Sequence, residues 1–233
     1  MKMRDKFVEI SVTEKDFDSS VAEFLFKTIK NDLRGNKKLS IALSGGSTPL
    51  PALGLLKDYT INWEHCDFFT VDERNVPKTN SLSNFGNIER VFFKYINSSA
   101  HPMVNKNYSL EDCAIHYEKL LFSKISTKTN KLPVFDIIVL GVGYDGHTAS
   151  LFPNTDGLDE FKKIVIKNTI EKLNTERITL TFPIILNAKK IVILTKGDNK
   201  NVILDRILQG KGGHYPISKV LKSNADITWI KSK

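Results

Sequence analysis

The run Phe135-Asp136-Ile137-Ile138-Val139-Leu140 constrains the fold of this chain more than any other segment, because all but Asp136 are apolar and residues 137–139 are β-branched on consecutive positions. A strand buried on both faces reads this way, and such strands belong to parallel sheets covered by helices. It leads into Gly141-Val142-Gly143-Tyr144-Asp145-Gly146-His147-Thr148-Ala149-Ser150-Leu151-Phe152-Pro153, whose glycines at 141, 143 and 146 let the backbone turn sharply and approach a ligand closely. Asp145 and His147 therefore fall where a strand ends, and ligands of open α/β sheets bind beyond the carboxyl ends of the strands. An imidazole there, with a carboxylate to fix its tautomer, suits general-base work near neutral pH. A tight turn whose histidine caps the next helix is the other reading of the same residues.

The rest of the chain alternates strand and helix patterns, which points to βαβ units and a mainly parallel sheet flanked by helices. Residues 7–12 alternate as a strand, and Phe17, Val21, Phe24, Leu25, Ile29 and Leu33 recur at helical spacing, with Gly35 expected to end that helix. Strands are expected at 39–43, 67–71, 135–140, 164–166, 177–182, 191–194 and 227–230. Helical patterns occupy a short stretch to Leu56, then 88–95, 111–125, a segment containing Leu186, and 197–208. Residues 75–85 read as a polar loop and 98–109 as irregular. No repeat or Pro/Gly/Ser-rich linker divides the chain, so residues 1–233 are expected to form a single domain.

Composition narrows the function. The 41% hydrophobic content supports a substantial core, and no apolar run approaches the roughly 18 residues of a membrane span. The charged first six residues lead into a strand pattern and not into the apolar core of a signal peptide, so a cytoplasmic location is expected. Cys66 and Cys113 lack metal-ligand spacing and read as buried structural thiols; His65, His101, His116, His147 and His214 form no HxH or HxxxH pair. The net charge of +8 comes from scattered lysines without a basic, aromatic-interleaved stripe. A solvated surface that helps steer small anions is expected, and no nucleic-acid partner.

Three further segments share an anion-binding character. Ser44-Gly45-Gly46-Ser47-Thr48 offers backbone N–H groups, hydroxyls and a helix start, but lacks the lysine and length of a nucleoside-triphosphate loop. Asp72-Glu73-Arg74 sets a guanidinium after a strand, suited to a phosphate or a developing oxyanion, or else to a surface ion pair. Gly197-Asp198-Asn199-Lys200 brings a lysine to another helix start. No G-x-S-x-G elbow is present, which argues against a serine nucleophile.

Together these motifs resemble the glucosamine-6-phosphate isomerase/6-phosphogluconolactonase superfamily, nearer to its lactonase branch. The resemblance runs from the Ser-Gly-Gly-Ser-Thr-Pro loop through Val71-Asp72-Glu73-Arg74, Ser83-Asn84 and the 141–153 segment to Arg177-Ile178-Thr179-Leu180-Thr181-Phe182-Pro183 and Gly197-Asp198-Asn199-Lys200. It implies a Rossmann-like fold similar to that of glucosamine-6-phosphate deaminase and ribose-5-phosphate isomerase, and hydrolysis of a sugar-phosphate lactone in the oxidative pentose phosphate pathway without metal or nucleotide. By the same resemblance His147 is the base that activates water, Asp145 holds its tautomer, and Arg74 stabilises the oxyanion. Ser44, Gly45, Gly46, Ser47 and Thr48, with Arg177 and Lys200, bind the phosphate. Asp72, Asn84 and Gly143 complete the substrate site, Asn84 touching sugar hydroxyls or ordering its loop, while Arg177 could equally be a structural ion pair.

Two alternatives stay open from sequence. The sister enzymes deaminate and isomerise glucosamine 6-phosphate; they usually carry a tyrosine where this chain has Arg74, and a glutamate near their histidine where this chain runs Leu151-Phe152-Pro153. A non-catalytic sugar-phosphate-binding protein is the other, against which the intact Asp145, His147 and Arg74 argue.

Overall fold

The computed structural model describes residues 6–34 and 38–233. Gly35, expected to end the first helix, lies outside them. In chain order the elements are β1 (Phe7–Val12), α1 (Phe17–Asp32), β2 (Leu39–Leu43), α2 (Leu50–Leu56), β3 (Cys66–Thr70), β4 (Asp72–Arg74), α3 (Asn84–Val91), β5 (Ser99–His101), α4 (Leu110–Lys124) and the short pair β6 (Lys128–Thr129) and β7 (Leu132–Pro133). They continue with β8 (Ile137–Gly141), β9 (Val165–Ile170), β10 (Thr175–Leu180), α5 (Phe182–Ile185), β11 (Lys190–Thr195), α6 (Asp198–Leu208), α7 (Ile217–Val220) and β12 (Asp226–Ser232).

Seven strands form one sheet in the order β1-β12-β11-β8-β2-β3-β5, and every neighbouring pair in it is parallel. The period-two geometry of a strand sends alternate side chains to opposite faces, and the apolar runs fill both. Ile138 and Leu140 of β8 join Ile191 and Ile193 of β11 in one apolar layer, roofed by α4, α5, α6 and α7. Ile137 and Val139 join Val192 and Leu194 in the other, under α1, α2 and α3. The expected α/β architecture with a mainly parallel sheet is therefore the one observed.

The order of strands locates a crevice. From β2 the chain builds outward to β3 and β5, whereas β8 builds the other way to β11 and β12. Loops leaving the adjacent β2 and β8 thus diverge at their carboxyl ends, the topological switch point where such sheets bind ligands. A second, antiparallel sheet, β4-β10-β9, stands at this edge.

Several sequence expectations shift. Asp72-Glu73-Arg74 is not a loop after a strand but a strand itself, paired with β10 so that Arg74 lies opposite Arg177. Arg177 accordingly sits within β10 and not at a strand end, and Phe182 opens α5, where Pro183 suits a first helical turn and could not donate to a ladder. The 75–85 loop stops at Ser83, whose hydroxyl accepts from Gly86 N and starts α3 earlier than its apolar periodicity suggested. Within the supposedly irregular 98–109 segment, Ser99-Ala100-His101 forms the edge strand β5; three residues without apolar alternation carry no strand signal. No helix begins directly after His147: Thr148 and Leu151 close a tight bridge instead, so the capping reading of that histidine falls.

Candidate active site

The loops of the switch point enclose a cleft of about 310 Å³, lined by Ser44, Gly45, Gly46, Ser47, Thr48, Asp72, Arg74, Asn84, Gly143, His147, Arg177 and Lys200 together with Pro49, Gly141, Val142, Tyr144 and Ala149. The candidate residues named from sequence converge there, except Asp145, which stands behind His147.

The glycine loop folds around the imidazole. Gly146 adopts a left-handed φ of 74° and Gly143 N donates to His147 O at 2.9 Å. A side chain on Gly143 would run into the ring of His147, so the close approach requires glycine here. Asp145 Oδ1 lies 2.5 Å from His147 Nδ1 and also accepts from the His147 backbone N–H. With Nδ1 committed to the carboxylate, Nε2 is the nitrogen left for a ligand. Burial pulls the imidazole below its ordinary pKa, against the opposing pull of Asp145 and Asp72, so the ring stays neutral to lower pH. Burial pushes the Asp145 carboxyl up, but hydrogen bonds from Lys172 and His147 outweigh it and hold the group at about 2.

Two arginines face each other across the β4–β10 pairing. Arg74 Nη1 donates to Leu82 O at 2.7 Å and to Asn84 Oδ1 at 2.8 Å. Asn84 Nδ2 in turn donates to Asp72 O and Oδ1, which makes Asn84 an orderer of its loop. Asp72 Oδ2 accepts from Ser150 Oγ at 2.6 Å and lies 4.0 Å from Arg177 Nη1. Arg177 Nε is buried without a hydrogen-bond partner among the described residues. Burial lowers the pKa of Arg177; Asp72 opposes that shift and Arg74 adds to it. Glu73, the third member of the motif, takes no part in the cleft. Its buried carboxylate accepts from the backbone N–H groups of Asn84 and Phe85 and from Ser83 Oγ, fixing the start of α3.

A third cation comes from the opposite wall. Lys200, in the first turn of α6, reaches Thr48 Oγ1 at 3.2 Å, and its burial lowers its pKa. Gly46, at φ 97°, gives the 44–48 loop its bend, and Ser44 Oγ ties that loop to the glycine loop by accepting from Gly141 N.

Sequence reasoning missed two side chains. Phe152 stacks on His147 with ring centroids 3.8 Å apart and planes 21° apart; the sequence marked its position only for lacking a carboxylate. Lys172, in the turn between β9 and β10, contacts the Asp145 carboxylate, and 27 residues of separation left no local signal for it. Cys66 and Cys113 are buried free thiols, as expected.

A neutral imidazole held by a carboxylate, opposite three cations, suits a small anionic substrate. The family described as glucosamine-6-phosphate isomerases/6-phosphogluconolactonase matches residues 12–229, and the chain belongs to it. Within that family it is similar to the 6-phosphogluconolactonase of Chlamydia pneumoniae, 36% identical over 198 residues that cover 82% of this chain and 74% of that protein. The 6-phosphogluconolactonase of Haemophilus influenzae is 33% identical over 85% of this chain and 86% of its own. The crystal structure of 6-phosphogluconolactonase from Thermotoga maritima superposes with a TM-score of 0.85 at 27% identity, covering 98% of this chain and 100% of that one.

Proposed function

We propose that this chain hydrolyses 6-phospho-D-glucono-1,5-lactone to 6-phosphogluconate, a step of the oxidative pentose phosphate pathway, with water as the nucleophile. The observation that carries the reading is His147, bound to Asp145 through Nδ1 at 2.5 Å and lining the same cleft as Arg74, Arg177 and Lys200. His147 Nε2 takes a proton from water as the oxygen attacks the lactone carbonyl carbon. Negative charge then grows on the carbonyl oxygen, where the Arg74 guanidinium stabilises it. Collapse breaks the bond to the ring oxygen, and the imidazolium returns its proton to that oxygen, giving the open-chain acid. Asp145 stabilises the imidazolium meanwhile and holds its tautomer. The 44–48 loop with Lys200 and Arg177 anchors the phosphate, fixing orientation by contacts remote from the reacting carbon. Asp72, Asn84 and Gly143 hold these groups in register.

The sister deaminase chemistry uses a carboxylate relay in the stretch where this chain runs Leu151-Phe152-Pro153, and here Phe152 covers the imidazole with an apolar face. Both apolar layers share the strands of one sheet, which supports a single domain. No helix among the described residues is long and apolar enough to cross a membrane, which is compatible with the cytoplasmic location we propose. The deciding measurement is turnover of freshly generated lactone, corrected for spontaneous hydrolysis, beside glucosamine 6-phosphate. Lactone turnover with silent deamination is expected. Deamination with silent lactone turnover would reverse the assignment, and ligand binding with neither activity would leave a binding protein.

A further inference from the structure

The proposed base depends on Asp145 offering one oxygen, in one orientation, to His147 Nδ1. Asp145 occupies a loop of small and polar residues and its side chain is about a third exposed (31%), so packing alone does not fix its rotamer. Its Oδ1 is taken by His147, while its Oδ2 is held by the Lys172 ammonium. Lys172 does not line the cleft. It sits in the turn joining β9 to β10 (Glu171-Lys172-Leu173), carried by the same hairpin that presents Arg177. Its ammonium also stands 5.1 Å from the centroid of Phe152, the ring stacked on His147, and Arg177 lies 5.3 Å from that centroid. Edge and face of the imidazole are thus both braced by groups that Lys172 touches.

We infer that Lys172 is a positioning residue: by holding one carboxylate oxygen of Asp145, it fixes the other on Nδ1 of His147 and keeps Nε2 as the free, proton-accepting nitrogen. The antiparallel sheet then has a catalytic task beyond carrying arginines, since the tip of its hairpin sets the geometry of a loop belonging to the other sheet. Exposed ion pairs contribute little to stability, and Lys172 is half exposed (50%), so conservation of the fold does not require the contact.

The electrostatic consequence has a definite sign. The charged groups acting on the imidazole are Asp145 from its own loop and Asp72 from β4, which raise its proton affinity, and Arg177 from β10, which lowers it. The Asp145 contribution depends on its hydrogen bond to Nδ1. Removal of Lys172 releases the carboxylate from that contact, so imidazolium is stabilised less and His147 should protonate at lower pH.

This inference rests on the proposed lactonase reading for its kinetic arm, and it has a second arm free of that reading. Lys172→Met should lower kcat about tenfold with the KM for the lactone within twofold, and Lys172→Arg should restore most of the loss. In an Asp145→Asn background Lys172→Met should have no further effect, because its action passes through the carboxylate. An NMR titration of His147, which needs no substrate, should show its midpoint falling in Lys172→Met and recovering in Lys172→Arg. Equal losses in both Asp145 backgrounds, a rise in KM alone, or an unmoved or raised NMR midpoint would each overturn the positioning role. If the wild-type protein lacks lactone turnover but the midpoint shifts as expected, the reading of function fails and the Lys172 clamp stands.

Discussion

Two histidines in this molecule have nearly the same company. At the carboxyl ends of the strands His147 has Asp145, Lys172 and a stacked Phe152. On the edge strand β5, His101 has Asp67, Lys38 and Phe69, the last with ring centroids 4.8 Å apart at 30°. Burial depresses both imidazoles. The difference lies in which nitrogen meets the carboxylate, how closely, and what lies beyond. His147 engages Asp145 through Nδ1 at 2.5 Å and fronts a cleft of about 310 Å³ with three cations in its walls. His101 approaches Asp67 through Nε2 at 3.6 Å, Nε2 is buried without a hydrogen-bond partner among the described residues, and the cavity beside Asp67 is about 30 Å³. Residue type supplies the capacity for base catalysis, and the open second nitrogen with an anion-binding wall turns that capacity into a site.

The comparison breaks most visibly at the two imidazoles. His147→Ala should lower kcat by roughly 10²–10⁴, the usual contribution of a positioned general base, with the affinity for phosphate ligands largely kept. His101→Ala should leave kcat within about twofold, and steady-state kinetics on the two variants checks both. Equal losses would mean that burial beside an aspartate, and not orientation, makes the base. The next largest effect belongs to the cation wall that His101 lacks. Lys200→Ala removes a charged contact of the kind worth a factor of about ten or more, so KM should rise by that factor while kcat changes little. An unchanged KM would remove Lys200 from the phosphate site.

The contrast between these regions also explains what could be read from sequence. Asp145 and His147 are two residues apart on a loop that follows a strongly apolar strand, so one local motif exposes both the site and its chemistry. The 44–48 loop follows β2, Arg74 comes shortly after β3 and Lys200 opens the helix after β11, and the parallel topology of β2, β3 and β11 brings such segments to one edge without further information. Asp67 and His101 are 34 residues apart and meet only because β5 pairs with β3. Lys172 belongs to the same class: its role arises from the β9–β10 hairpin folding over the glycine loop, a tertiary contact without periodicity or spacing to announce it. Phe152 is near His147 in sequence, but an apolar side chain in a loop does not announce which ring it will stack on. The strand character of Asp72-Glu73-Arg74 was hidden for a related reason, since three charged residues carry no apolar alternation and become a strand only by pairing with β10.

The finest separation of the two histidines comes from pH. Each has a folded pKa below the ordinary 6.5, so below that pH the unfolded chain binds protons that the folded chain refuses. Their contribution to stability is therefore complete above about 6.5 and declines as pH falls toward the depressed values, at no more than about 1.4 kcal/mol per pH unit for each group. His101→Gln should remove one of these protons and flatten the slope of unfolding free energy against pH between about 6.5 and 5, whatever its effect on stability at neutral pH. The acid limb of kcat/KM belongs to His147 alone. It should have its midpoint below 6.5, because burial lowers the pKa of that ring, and it should stay in place in His101→Gln. Denaturant unfolding across pH, run beside the rate profile, reads both quantities. An acid limb that moved with the loss of His101 would show that the two ends of the sheet titrate as one unit, and the separation of roles argued from their geometry would fail.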